Sequence, residues 1–465
     1  MQYWIVLFLL LDSIFAATVQ PVKPTKDKFY TPPDGYEDSE VGTILKFRKT
    51  PLPLTGIINT VNVKNSWQFL VRSEDTFGNP NAFVTTVMEP FDAKPDKVVS
   101  YQTWEDSADL DCSPSYAIQQ GSGWTTLITQ FEMYFMGALL DQGYYVVTPD
   151  YEGPKSTFTV GLQSGRATLN SIRATLNSGN LTGIDPGAEV IMWGYSGGTI
   201  ASGWAAAIQN EYAPELSDNL IGAALGGFVT NITATAEAVD GGIFAGLVSN
   251  ALGGLGHEYP DLAEFMDKKV SPQQEPNLAK SDTHCLIDSI LDNLGTEYFT
   301  GESKWFPDGW KVFEMEPVDT IVKDNGLVYQ PRNYTPQIPI FIYQGTQDNI
   351  VPIKSAKRTF QQWCEWGLES GEFAEDEATG HITEVFVGGP AALTWINNRF
   401  DGVPPVQGCN HTSRASNFDY PGLSQSYVDY FTAALNIVLG MELGPLSKRD
   451  INTIQDLNDL EYVKV

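Results

Sequence analysis

The chain predicts an α/β fold, with a mostly parallel central sheet, helices on both faces and an inserted helical cap or lid. Three observations carry this expectation. Apolar runs at 144–148, 190–193, 220–225 and 338–343 are continuous, the pattern of strands buried on both sides. Stretches with helical spacing, at 130–141 and 199–211, separate some of them, as in a sheet built from strand–helix units. The run at 190–193 leads into Gly194-Tyr195-Ser196-Gly197-Gly198 and then a small-residue helix, which is the strand–turn–helix context of a nucleophile elbow.

Composition limits the functions open to such a fold. Hydrophobic residues make up 42% and aromatics 12%, so a large core can form. The 57 acidic side chains against 28 basic ones give a net charge of −29. That balance disfavours nucleic acid, which needs a basic face, and disfavours docking on anionic lipid by charge alone.

Residues 1–16 read as a signal peptide, with an apolar run from Ile5 to Leu11 and small residues at Ala16-Ala17. The protein is therefore expected to be secreted and extracellular. No other stretch reaches the roughly 18 apolar residues of a membrane span, so no transmembrane anchor is expected. The four cysteines, Cys112, Cys285, Cys364 and Cys409, are an even set that implies two disulfides in any of three pairings. None forms a C-x-x-C pair, and no metal is expected. Asn180, Asn231, Asn333 and Asn410 open N-x-S/T sequons and are candidate glycosylation sites.

Residues 17–55, rich in proline and charge, read as an N-terminal arm over the core. The first part of the core is assigned to 56–228. Segments 67–72 and 82–88 flank a turn at 76–80 and alternate in character, suggesting an antiparallel edge; 97–101 is a third strand. In the elbow, the tight strand-to-helix turn forces the serine into strained backbone and demands small neighbours. Ser196 is the candidate nucleophile, and the backbone N–H of Gly197 a candidate oxyanion donor.

A serine needs a base, and four histidines are available. His257 and His284 fall in the apparent insertion, and His411 lies in the Asn410 sequon, in what reads as an exposed disulfide loop. His381 remains, after an acidic loop at 372–380 and before an apolar helical stretch at 382–400. The strand at 338–343 runs into Asp348, which takes the place of the acid in the chain order Ser, Asp, His. Asp150 also follows a strand but precedes Ser196, so it reads as structural.

The chain resembles the fungal secretory lipases, a family of secreted yeast triacylglycerol lipases. The resemblance rests on Gly194-Tyr195-Ser196-Gly197-Gly198, Gly345-Thr346-Gln347-Asp348, Gly380-His381-Ile382-Thr383, Glu105-Asp106-Ser107 and the run from Thr148 to Pro154. It covers about residues 27–443. It implies a triad of Ser196, Asp348 and His381 on an α/β-hydrolase fold. It also implies Asp106 as the second oxyanion donor, through its backbone N–H, and the pairings Cys112 with Cys285 and Cys364 with Cys409.

The interval of 152 residues between Ser196 and Asp348 exceeds what the bare fold uses. Residues 229–320 are read as a helical cap or lid whose Ala/Gly/Leu-rich stretch, near 232–255, would form an apolar wall for an acyl chain. The core resumes at 321–445, and 446–465 is a tail in which Lys448-Arg449 is a candidate processing site. The function expected is hydrolysis of triacylglycerols at an oil–water interface by a monomer without a cofactor. Rival readings are a carboxylesterase or acyltransferase acting on shorter esters, and an inactive hydrolase fold used for adhesion or binding.

Overall fold

Among the described residues, ten strands form one sheet in the order β1-β2-β3-β5-β4-β6-β7-β8-β9-β10. They are β1 (Ile44–Lys49), β2 (Asn65–Glu74), β3 (Pro80–Glu89), β4 (Lys94–Gln102), β5 (Tyr144–Pro149), β6 (Glu189–Tyr195), β7 (Leu220–Gly226), β8 (Ile340–Gly345), β9 (Ser370–Asp376) and β10 (Gly408–Arg414). The computed structural model describes residues 19–57 and 59–439. The expected signal peptide at 1–16 and the tail at 446–465, with Lys448-Arg449, lie outside the described residues. Pairings from β1 through β3 to β5 are antiparallel, and those from β5 through β4 to β10 are parallel.

The continuous apolar runs arise because successive residues feed two different cores. Val190 and Met192 of β6 point into one, Ile191 and Trp193 into the other. In β8, Ile340 and Ile342 join the first, Phe341 and Tyr343 the second. With a side-chain period of two, a strand buried on both faces has no solvent side to mark with polar residues. The first core is covered by α2 (Gly161–Leu176), α3 (Gly198–Tyr212) and α9 (Ile353–Trp366), the second by α1 (Leu127–Asp141), α10 (His381–Phe400) and α11 (Gln425–Leu439).

Between β7 and β8 the chain is helical: α4 (Ile232–Val239), α5 (Gly246–Glu258), α6 (Pro260–Lys269), α7 (Leu286–Asp292) and α8 (Val318–Asp324). Val239, Val248, Leu255, Leu262 and Met266 pack into the first core, so this excursion is joined to the domain by apolar burial.

Three local expectations differ from the structure. β2 and β3 do form the antiparallel side of the sheet, but they are buried on both faces. Their alternate polar residues have partners: Gln68 Nε2 donates to Ser115 O at 2.6 Å, and Thr86 Oγ1 to Ser115 Oγ at 2.9 Å. The acidic segment expected as a loop at 372–380 begins as β9. Its charges are matched there: Lys357 Nζ donates to Glu375 Oε1 at 2.6 Å, and Asp376 accepts the N–H groups of Ala378, Thr379 and Asn417. The expected disulfide loop around His411 is β10, an exposed edge strand parallel to β9.

Candidate active site

Ser196 stands at the C-terminal end of β6, at a φ of +49°, a left-handed value that a non-glycine residue keeps only when its surroundings enforce it. They do so on both sides. Ser196 N–H donates to Gly226 O at 2.9 Å, and Ser196 O accepts from Thr199 N at 2.8 Å and Thr199 Oγ1 at 2.6 Å. The glycines are steric requirements. A Cβ on Gly197 would lie 1.7 Å from Asp106 Oδ1, and one on Gly198 2.1 Å from Gln102 O.

His381 begins α10 and is buried, 3% exposed. Its Nε2 lies 2.8 Å from Ser196 Oγ and its Nδ1 2.8 Å from Asp348 Oδ2. With the proton on Nδ1, the ring donates to Asp348 and accepts the serine proton. Asp348 lies in the turn after β8. Its Oδ1 accepts from the N–H groups of Ile350 at 3.1 Å and Val351 at 2.7 Å, and its Oδ2 accepts from Gln344 Nε2 at 3.0 Å. Gln344 escaped the sequence reading, since a glutamine at a strand end carries no pattern. Tyr195 OH donates to His381 O at 2.6 Å, tying the histidine to the elbow.

Asp106 lies in the segment after β4 and also has a φ of +49°. Burial pushes its carboxyl up to about 7, with the nearby His381 pulling the other way. Burial, and then neighbouring acids, Asp150 first for Glu105 and Glu105 first for Glu152, hold the carboxyls of Glu105 and Glu152 well above the usual range. Asp150 is buried too and pushed up to about 7, although its Oδ1 accepts Ser115 N–H at 2.7 Å.

A cavity of about 340 Å³ opens on Ser196, His381 and Asp106, with walls that include Trp104, Phe131, Phe244, Leu286, Ile290 and Phe386. A second space of about 40 Å³, bounded by Phe158, Ile200 and Val239, also reaches Ser196 and Asp106; Leu247 and Ile350 border both. An apolar chamber holding a serine, a histidine and a buried carboxylate suits acyl transfer from an apolar ester.

The other histidines lie elsewhere. His257 Nε2 is 3.2 Å from Asp282, His284 Nε2 3.1 Å from Asp292, and His411 Nε2 2.7 Å from Glu375. Cys112 is joined to Cys285 and Cys364 to Cys409. Asn180, Asn333 and Asn410 are exposed, whereas Asn231 is half-buried and its side chain accepts from Ala234 N–H at the start of α4. Among the described residues no helix is long and apolar enough to cross a membrane.

Residues 118–408 match the family described as secretory lipase. Lipase 4 of Candida albicans is 56% identical over 444 residues, covering 96% of each chain. Lipase 5 of the same organism is 55% identical over 447 residues, again covering 96% of each. Among solved structures, Candida antarctica lipase A superimposes with a TM-score of 0.79 at 29% identity, covering 90% of this chain and 96% of that one.

Proposed function

The chain belongs to the secretory lipase family and is a carboxylic ester hydrolase; from that premise we propose that it is a secreted lipase cleaving triacylglycerols through Ser196, His381 and Asp348. The observation that carries this reading is the continuous hydrogen-bonded line from Ser196 Oγ through His381 to Asp348, on the floor of an apolar cavity.

The reaction follows from that geometry. His381 Nε2 takes the Ser196 proton as Oγ attacks the ester carbonyl carbon. The imidazolium so formed is stabilised by Asp348, whose two oxygens are shared by four donors. The N–H groups of Gly197 and Asp106 hold the oxyanion. Collapse of the tetrahedral intermediate expels the alcohol, protonated by His381, and leaves an acyl-serine. A water deprotonated by His381 then releases the fatty acid and restores the hydroxyl.

The rest of the reading concerns place and organisation. The core comprises 56–228 and 321–445, and 229–320 forms the cap, a division supported by the helical excursion between β7 and β8. The two disulfides and the family support secretion. The exposed sequons at Asn180, Asn333 and Asn410 would carry glycans more readily than Asn231. The protein acts as a monomer at an oil–water interface.

The test compares parent and Ser196→Ala on emulsified long-chain triacylglycerol and on soluble short esters. The parent is expected to turn over the emulsion faster, and the variant to lose both activities. Preference for soluble esters would favour a carboxylesterase, and ester synthesis outrunning hydrolysis an acyltransferase. Hydrolysis that survives in the variant would rule out Ser196 as nucleophile.

A further inference from the structure

We propose that Asn250, oriented through Ser289, is a positioning residue by which the cap sets the oxyanion turn. The inference rests on the reading of Asp106 N–H as an oxyanion donor. It adds that this donor is held in place from the cap as well as from the core.

Asp106 has the strained backbone noted above, and such a residue needs its conformation enforced. The enforcing contact comes from α5. Asn250 is fully buried there, and its Nδ2 donates to Asp106 O at 2.7 Å. Its Oδ1 accepts from Ser289 Oγ, the α7 hydroxyl, at 2.6 Å. The amide has one workable orientation. Turned over, its oxygen would face the Asp106 carbonyl, and neither carries a proton. The Ser289 hydroxyl supplies the donor that the other end of the amide requires. Holding the Asp106 carbonyl fixes the peptide that follows the residue, and together with the strained φ it limits how the turn carrying the proposed donor can relax.

Neighbouring contacts show that α5 is firmly seated against this turn. A Cβ on Gly253 would come within 3.0 Å of Ala108 Cβ, and one on Gly254 within 2.4 Å of Phe158 N. These glycines are points of close approach. Ser107 Oγ donates to His284 O at 3.0 Å, and the Cys112–Cys285 bridge ties the same segment to the start of α7. A first group held by locked outer residues is what a preorganised site requires.

The test uses Asn250→Asp and Ser289→Ala in the full protein. At pH 8, Asn250→Asp keeps the acceptor for Ser289 but offers the Asp106 carbonyl no donor. The measurements are kcat and KM on a soluble short ester, the rate of Ser196 labelling by a serine-directed phosphonate, and the melting temperature. Asn250→Asp is expected to lower kcat about 10- to 100-fold with KM within about twofold, less than the about 10²- to 10³-fold loss from removing a donor outright. Labelling should slow in step, and Ser289→Ala should show a smaller loss of the same kind. A folded Asn250→Asp with parental kcat overturns the inference, as does a lowered melting temperature with parental kcat. If Asn250→Asp does not fold, Ser289→Ala decides by the same measurements, and parental turnover there overturns the inference. Failure of the phosphonate to label Ser196 in the parent would instead remove the proposed hydrolytic site itself, and with it the donor role of the Asp106 N–H on which the inference rests.

Discussion

At Asp348 a carboxylate is aimed by its own turn. Two backbone N–H groups hold Oδ1, and Gln344 and His381 share Oδ2. An amide in its place would present N–H to His381 Nδ1 and drive the proton to Nε2, where it faces Ser196 and cannot accept. Asp348→Asn is therefore expected to fold normally and lower kcat by about 10⁴-fold, measured on a soluble ester with KM as the control. The grouping of Ser196, His381 and Asp348, which the structure brings within hydrogen-bond reach of one another, could be anticipated from sequence because each sits where strand, turn and chain order constrain it. Gln344 and Asn250 were not, since an amide amid apolar neighbours leaves no periodic signal and its role depends on a fold-level contact.

Among elements, those with strong apolar character could be located from sequence. The helix expected at 199–211 is α3 (Gly198–Tyr212), and that at 382–400 is α10 (His381–Phe400). β9 and β10 were missed because charge and a sequon hid strands whose side chains find partners through neighbouring segments. The same dependence on neighbours governs the elbow. Gly197→Ala places a methyl 1.7 Å from Asp106 Oδ1, so Asp106 must move. Esterase activity should fall at least about 100-fold, the scale of losing an oxyanion donor, and phosphonate labelling of Ser196 should slow in parallel. The cavity wall gives a different expectation. Ile290 of α7 lines the larger space, and Ile290→Trp would shorten it while leaving Ser196 and His381 in place. On a series of esters of increasing acyl length, the optimum should move to shorter chains with little change for the shortest; an unchanged profile would place the acyl chain elsewhere.

Over the whole molecule, the −29 charge of the sequence overlies an interior that also holds acids. Burial keeps Glu105, Glu132, Glu152 and Glu384 well above the usual carboxylate range, and Asp106 and Asp150 are pushed up to about 7. Glu105 faces Asp106, Asp109 and Asp150, and Glu152 faces Glu105 and Asp106, with the backbone N–H groups of Ser107 and Asp106 pulling Glu152 the other way. Each raised acid holds a proton in the folded chain that it loses near pH 4 when unfolded. Its stabilisation is complete below that pH and disappears as pH rises through the folded value, at up to about 1.4 kcal/mol per pH unit for each proton. The lowered carboxyls of Glu375 and Asp292 act in the opposite sense and lose their contribution in stronger acid. Stability should therefore peak in mild acid and fall from about pH 5 to pH 8, measured as the melting temperature across that range. Surface repulsion predicts the same sign, but salt screens it and leaves buried groups largely untouched. The decline should thus persist at high ionic strength and flatten in Glu105→Gln or Glu152→Gln, where an uncharged amide replaces the acid that must ionise. A melting temperature that rises from pH 5 to 8 in high salt would show that these carboxyls are already ionised in the folded protein.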